Sequence, residues 1–226
     1  MKKILLIILV SIICSARIKA QDVMQTMIDN SFATQQAYLT GHINGLVMKN
    51  ITGKNYKATK RTDRLTYNPH HKIKAEVMDA MLKRAKLTEG TETFRNTDFD
   101  KIFTTVTAKY NFSYKDAGDI VTAYQVLNWM IANKVNTEPA VAAVAATRIK
   151  VGASMMQNEK INHDAYERAK LGEEMKMLFA VVHAGWQNAL KSGGLNKYSD
   201  SIAKQYQQQY GVDLRKLKLD EQGMHL

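Results

Sequence analysis

Between Lys49 and Arg64 the chain gathers six cations, Lys49, Lys54, Lys57, Lys60, Arg61 and Arg64, against a single acid, Asp63. Cations at this density neutralise anionic groups, and Tyr56 among them offers a ring for stacking. This is how basic segments meet lipid head groups or nucleic acid. The six are candidate binding residues, forming an electrostatic patch.

Other groupings fall short of a reaction centre. His163 and Glu167 stand four apart and would share a helical face, with His183 further along, but zinc needs three or four ligands steadied by further hydrogen bonds. His70 and His71 are adjacent and should point apart. Glu173 and Glu174 are also adjacent, and Glu76 with Asp79 suits a wet surface, whereas glycoside cleavage needs two carboxyl groups about 5 to 10 Å apart around a cleft. No glycine-serine-glycine elbow occurs, and Gly41, Gly45 and Gly53 are too widely spaced for a nucleotide-binding loop. The expectation is therefore no catalytic residue, no metal ligand and no cofactor.

The elements that must carry these residues read as helices. Val23, Met27, Ile28 and Phe32 recur at intervals near three and four, predicting a helix over 22–39. Gly41 and Gly45 argue against its continuation, since each glycine costs about 1 kcal/mol against alanine. Asn68-Pro69 has the chemistry of a helix start, with the helix running to about Leu87. Over 98–111 helix is preferred to strand, despite the alternation of Val106, Ala108 and Tyr110. Ser113 and Asp116 form the pattern of a reciprocal cap for a helix facing inward through Ile120, Tyr124, Leu127 and Ile131.

Thr137-Glu138-Pro139 starts an alanine-rich helix to Met156, which its small residues mark as the most buried. Asn162 is the expected cap of a helix over 163–191, stopped by Ser192-Gly193-Gly194. A shorter helix over 197–210 closes at Gly211, and 212–219 packs as a tail. Trp129, Trp186 and Met155, Met156, Met175 and Met177 fall on core-facing positions, where methionine fills irregular gaps. The fold class expected is all-α, a compact bundle of five to seven helices with mostly antiparallel neighbours.

The first twenty residues read as a secretory signal. Lys2 and Lys3 precede an apolar run of eleven, Ile4 to Cys14, and a more polar tail ends in Ala20. A permanent transmembrane helix needs about 20 apolar residues. Cutting after Ala20 lowers the formal charge from +11 to +7, of which 49–64 holds +5. It also removes Cys14, the only cysteine, and with it disulfides, thiol nucleophiles and cysteine-ligated zinc. The division expected is a signal peptide at 1–20, an N-terminal helical segment at 21–48, a basic flexible linker at 49–66 and a helical domain at 67–226.

Three stretches resemble an uncharacterised family of exported bacterial helical proteins, a domain of unknown function. They are the Tyr67-Asn68-Pro69 opening, SYKDAGDIVTAYQVLNWMIAN from Ser113 and YGVDLRKLKLDEQGM from Tyr210. The resemblance spans about residues 67–226. It implies an exported α-helical domain and brings no catalytic residue, because its motifs are caps, packing residues and turns.

The expected function is that of an exported, non-enzymatic helical protein, periplasmic or extracellular, that binds an anionic envelope polymer, a membrane surface or a protein partner. Nucleic acid is the less favoured polyanion after export. The alternatives are an enzyme acting on cell wall or a small molecule from a cleft between helices, and a structural subunit of an envelope assembly.

Overall fold

A computed structural model describes residues 39–53, 65–86 and 90–226. The expected signal peptide and nearly all of the helix expected over 22–39 lie outside the described residues. Nine α-helices occur among the described residues: α1 (Leu39–Thr52), α2 (His71–Ala85), α3 (Thr91–Arg95), α4 (Phe99–Val106), α5 (Ala117–Ala132), α6 (Val141–Met155), α7 (Glu159–His163), α8 (Ala165–Ser192) and α9 (Leu195–Tyr210). Six of them have fourteen residues or more, so the all-α bundle holds, with three short helices as connectors.

α5 is the central element. Fifteen of its sixteen residues are buried, and it packs most extensively on α8, then on α6 and α9. Its start is set by Asp116, whose carboxylate accepts from the Asp119 amide at 3.0 Å. The alanine-rich helix α6 is not the most buried, as its composition had suggested. Val141, Ala142, Ala145 and Ile149 face solvent, because neighbours cover only the side that meets α1, α5 and the C-terminal hairpin.

α1 departs from expectation by running through Gly41 and Gly45. Gly41 is buried, and a β-carbon at Gly45 would sit 3.6 Å from the Tyr210 ring. Close packing against α6 and α9 outweighs the weak helix propensity of glycine. Ile43, Val47, Met48 and Ile51 join the same core as the later helices. Asn44 completes the attachment. Its amide oxygen accepts from Gln125 at 2.8 Å, and Gln125 in turn accepts from the Tyr206 hydroxyl at 2.8 Å, so a buried polar chain links α1, α5 and α9.

Several helix starts move by a few residues, those of α2 and α8 because another side chain reaches the free amides. His70, rather than Asn68, caps α2, with Nδ1 accepting from the Lys72 amide at 3.2 Å. Asn162 lies inside α7, which Asn158 caps. Asp164 then opens α8 by accepting from Tyr166 and Glu167 at 2.8 and 3.2 Å. The alanine-rich helix begins at Val141, just after Pro139. Gly193 and Gly211, with φ of 75° and 68°, end α8 and α9 as expected.

The tail is more ordered in kind than expected. After a 3₁₀ turn at Leu214–Lys216, β1 (Lys218–Asp220) and β2 (Gly223–His225) form an antiparallel hairpin that pairs Leu219 with Met224. Its second strand clips onto α6: the Met224 amide donates to Thr147 Oγ1 at 2.9 Å, and Lys150 donates to the Met224 carbonyl at 3.2 Å. A β-carbon at Gly223 would come within 2.7 Å of the Thr147 backbone, so this approach requires glycine.

Candidate functional site

Of the six candidate cations, Lys49 is placed in the last turn of α1 and is exposed. Lys54, Lys57, Lys60, Arg61 and Arg64 lie outside the described residues. The anchors on either side of them are well defined. Ile51 is buried before the segment, and Leu65 is fully buried after it. The chain is then held by the Tyr67 amide donating to the Lys115 carbonyl at 2.9 Å and by a bridge between Thr66 and Asp116.

Beyond this return point lies a group that the periodicity did not reveal. Glu173, Glu174 and Lys176 on α8 are 1%, 8% and 0% exposed. Lys176 Nζ lies 2.9 Å from Glu173 Oε1 and is also paired with Asp100 of α4. Glu173 Oε1 accepts from the Tyr67 hydroxyl at 3.0 Å. Burial, then the charge of Glu173, drives the Tyr67 phenol far above its usual range and keeps it protonated as a donor. Glu173 Oε2 has no partner among the described residues.

Glu174 turns the other way. It is paired with Arg84 of α2 and accepts from Thr40 Oγ1 of α1 at 2.5 Å. Adjacent helical residues diverge by about 100° around the axis, so the two acids serve separate partners and do not flank a shared substrate. The group fastens α1, α2, α4 and the Tyr67 segment to α8. A second pair does the same between α5 and α6, where the half-buried Arg148 holds the buried Asp119 through Nε and Nη2 at 2.5 and 2.6 Å.

The signal that could have exposed the first group is local. Glu173, Glu174 and Lys176 interrupt an otherwise apolar stretch, Leu171 to Phe179. A helix that buries such a stretch must bury its charges too. Gly172 belongs to the same arrangement, since a β-carbon there would run into the Tyr67 ring.

Two turns further along α8 the interior opens into a cavity of about 250 Å³. Phe179, His183 and Trp186 line it from one stripe of α8. Leu127 and Met130 contribute from α5, Val144 from α6, and Tyr110, Phe112 and Glu138 from the connections. The imidazole of His183 lies nearly parallel to the Phe179 ring, 6.2 Å between centroids, and edge-on to Trp186 at the same separation. Burial lowers the His183 pKa below its usual value, so the ring is neutral at pH 7. Tyr110 is raised to about 12, first by burial and then by Glu138, and its hydroxyl donates to the Pro139 carbonyl at 3.2 Å. The cavity combines apolar walls with a neutral imidazole, which suits the retention of a small molecule.

The other histidines are placed apart from it. His163 is exposed at the end of α7, and the break at Asp164 separates it from Glu167, so the two do not share one continuous helix. His70 and His71 do not point apart. Their rings stack with centroids 4.6 Å apart, because the extended backbone of a capping residue turns the His70 ring back over the first turn. Among the described residues no three histidine, cysteine or acidic side chains converge as a metal site, and no helix is long and apolar enough to cross a membrane. No family model, curated protein or solved structure matches the chain.

Proposed function

We propose that this chain is an exported, non-enzymatic helical protein that binds an anionic envelope polymer or membrane surface through the cations between Lys49 and Arg64. One observation carries the reading. Net charge of +5 is concentrated in sixteen residues, and both ends of that span enter the same core, at Ile51 and at Leu65. Six cations within sixteen residues lie close along the chain, and each lysine or arginine near an anionic surface contributes about 1 kcal/mol at physiological ionic strength. Elsewhere the charges of the mature sequence nearly cancel.

The test compares the mature chain with a variant in which Lys54, Lys57, Lys60, Arg61 and Arg64 are all glutamine. Co-sedimentation is measured with phosphatidylglycerol vesicles and with lipopolysaccharide across a salt series. Wild-type binding should weaken steeply with salt, and the variant should lose most of it. Equal binding by both proteins at every salt concentration would refute the proposal. Export itself is checked by the mass of the protein recovered outside the cytoplasm, which should begin at Gln21.

A further inference from the structure

We infer that the cavity beside His183 is a binding site for a small neutral molecule built on a planar ring and carrying one hydrogen-bonding group. This site is independent of the cationic segment and faces a different class of ligand.

Size, walls and polarity each narrow the occupant. A dry cavity of about 150 Å³ takes benzene, and drug-sized ligands fill pockets of roughly 300–1,000 Å³. A volume of about 250 Å³ therefore suits one ring with a short substituent, or two fused rings. Tyr110, Phe112, Phe179 and Trp186 surround the space with aromatic surface, against which a flat ring packs face-on or edge-on. Leu127 and Met130 close the inner side.

The polar groups are few and sit toward the opening. His183 offers one donor and one acceptor nitrogen as a neutral imidazole, and no hydrogen bond ties it to another described residue. Gln187, one turn further along α8, is half-buried and also faces the space. Glu138 and Asn136 are exposed at the edge, which gives a path from solvent. The Glu138 carboxylate at that entrance is already paired with Lys109 at 3.2 Å, so an anionic ligand would be desolvated among apolar walls with no free cation of the lining to meet it. Toward the start of α8 the interior is filled closely enough that Gly172 is needed to admit the Tyr67 ring. A second depression of about 300 Å³ lies past Trp186, between Gly185, Ser192 and Tyr198, but no aromatic side chain other than Tyr198 lines it, whereas four line the hollow beside His183.

The experiment titrates 4-methylphenol and indole into the isotope-labelled mature protein and follows the ring resonances of Trp186 and His183 by NMR. Toluene serves as the ring without a polar group, and benzoate as the ring bearing negative charge. Saturable shifts at Trp186 and His183 are expected. The affinity for 4-methylphenol should exceed that for toluene by about three- to tenfold, as one net hydrogen bond allows, and benzoate should bind more weakly than either. His183→Phe keeps the aromatic packing and should abolish the preference for 4-methylphenol over toluene.

Gln187→Phe, at the half-buried rim, should block every probe. If its amide spectrum shows that it has unfolded, Val144→Leu narrows the same cavity and should weaken every probe. The inference is overturned if neither 4-methylphenol nor indole gives saturable shifts at these two rings. It is also overturned if binding persists unchanged when the cavity is blocked or narrowed.

Discussion

The two halves of α8 meet the same core in opposite ways. From Gly172 to Lys176 the helix buries three charges, and the elements around it supply opposite charges and donors: Arg84 from α2, Asp100 from α4, Tyr67 and Thr40. From Phe179 to Gln187 the neighbours contribute mainly apolar and aromatic groups, and a cavity is left beside one neutral histidine. One helix thus tolerates buried charge where partners converge and keeps a hollow where they do not. The difference lies in what faces each turn. It teaches that the ionic half fastens elements together, whereas the hollow half is free to accept something from outside.

The sharpest way to break this contrast is to orphan the ionic half. Lys176→Met leaves Glu173 buried without its cation, and removing one partner of such a pair costs about 3–5 kcal/mol. Chemical denaturation should show a loss of that order. Adding Glu173→Leu to Lys176→Met should recover part of it, and a double variant no better than the single one would show that the pair is not the source of the loss. Next in size is Gly172→Ala, which forces the Tyr67 ring away from α8. Overpacking of this kind costs about 1–3 kcal/mol, and the loss should largely disappear in a Tyr67→Leu background.

A smaller effect is expected at the start of α8. Asp164→Ala removes the acceptor for two free amides and should cost about 1 kcal/mol, measured by the same denaturation. The smallest concerns the hollow half. The folded-state pKa of His183 lies below that of the unfolded chain, so the unfolded state binds the extra proton first. Its share of stability is fully present above about pH 6.5 and is lost as pH falls through the folded-state value. Melting temperature should therefore drop less between pH 7 and pH 5 in His183→Phe than in the wild type. Parallel pH profiles for the two proteins would remove His183 as a buried neutral group.

The long helices were legible because apolar residues recur on one face and because glycines follow α8 and α9. Gly41 and Gly45 misled because propensity is local, while the Tyr210 ring that fills the space beside Gly45 is distant in sequence. The caps shifted for a related reason: Asn68 and Asn162 have the right chemistry, but His70, Asn158 and Asp164 are the side chains that reach the free amides. Of the candidate site, the cationic segment is a property of composition and could be read directly. The cavity could not, because its lining comes from positions between 106 and 187 that share no spacing in the chain.

By itself the sequence determined the helical class, the apolar run from Ile4 to Cys14 that ends in the only cysteine, and the concentration of positive charge between Lys49 and Arg64. Those are properties of composition and short-range periodicity, which depend on residues close together along the chain. Only the tertiary structure decided that Glu173 and Lys176 lie inside with Asp100 and Tyr67, that the last residues form a hairpin on α6, and that a hollow remains beside His183. Each of these depends on which distant groups arrive at the same place, and no local pattern encodes that.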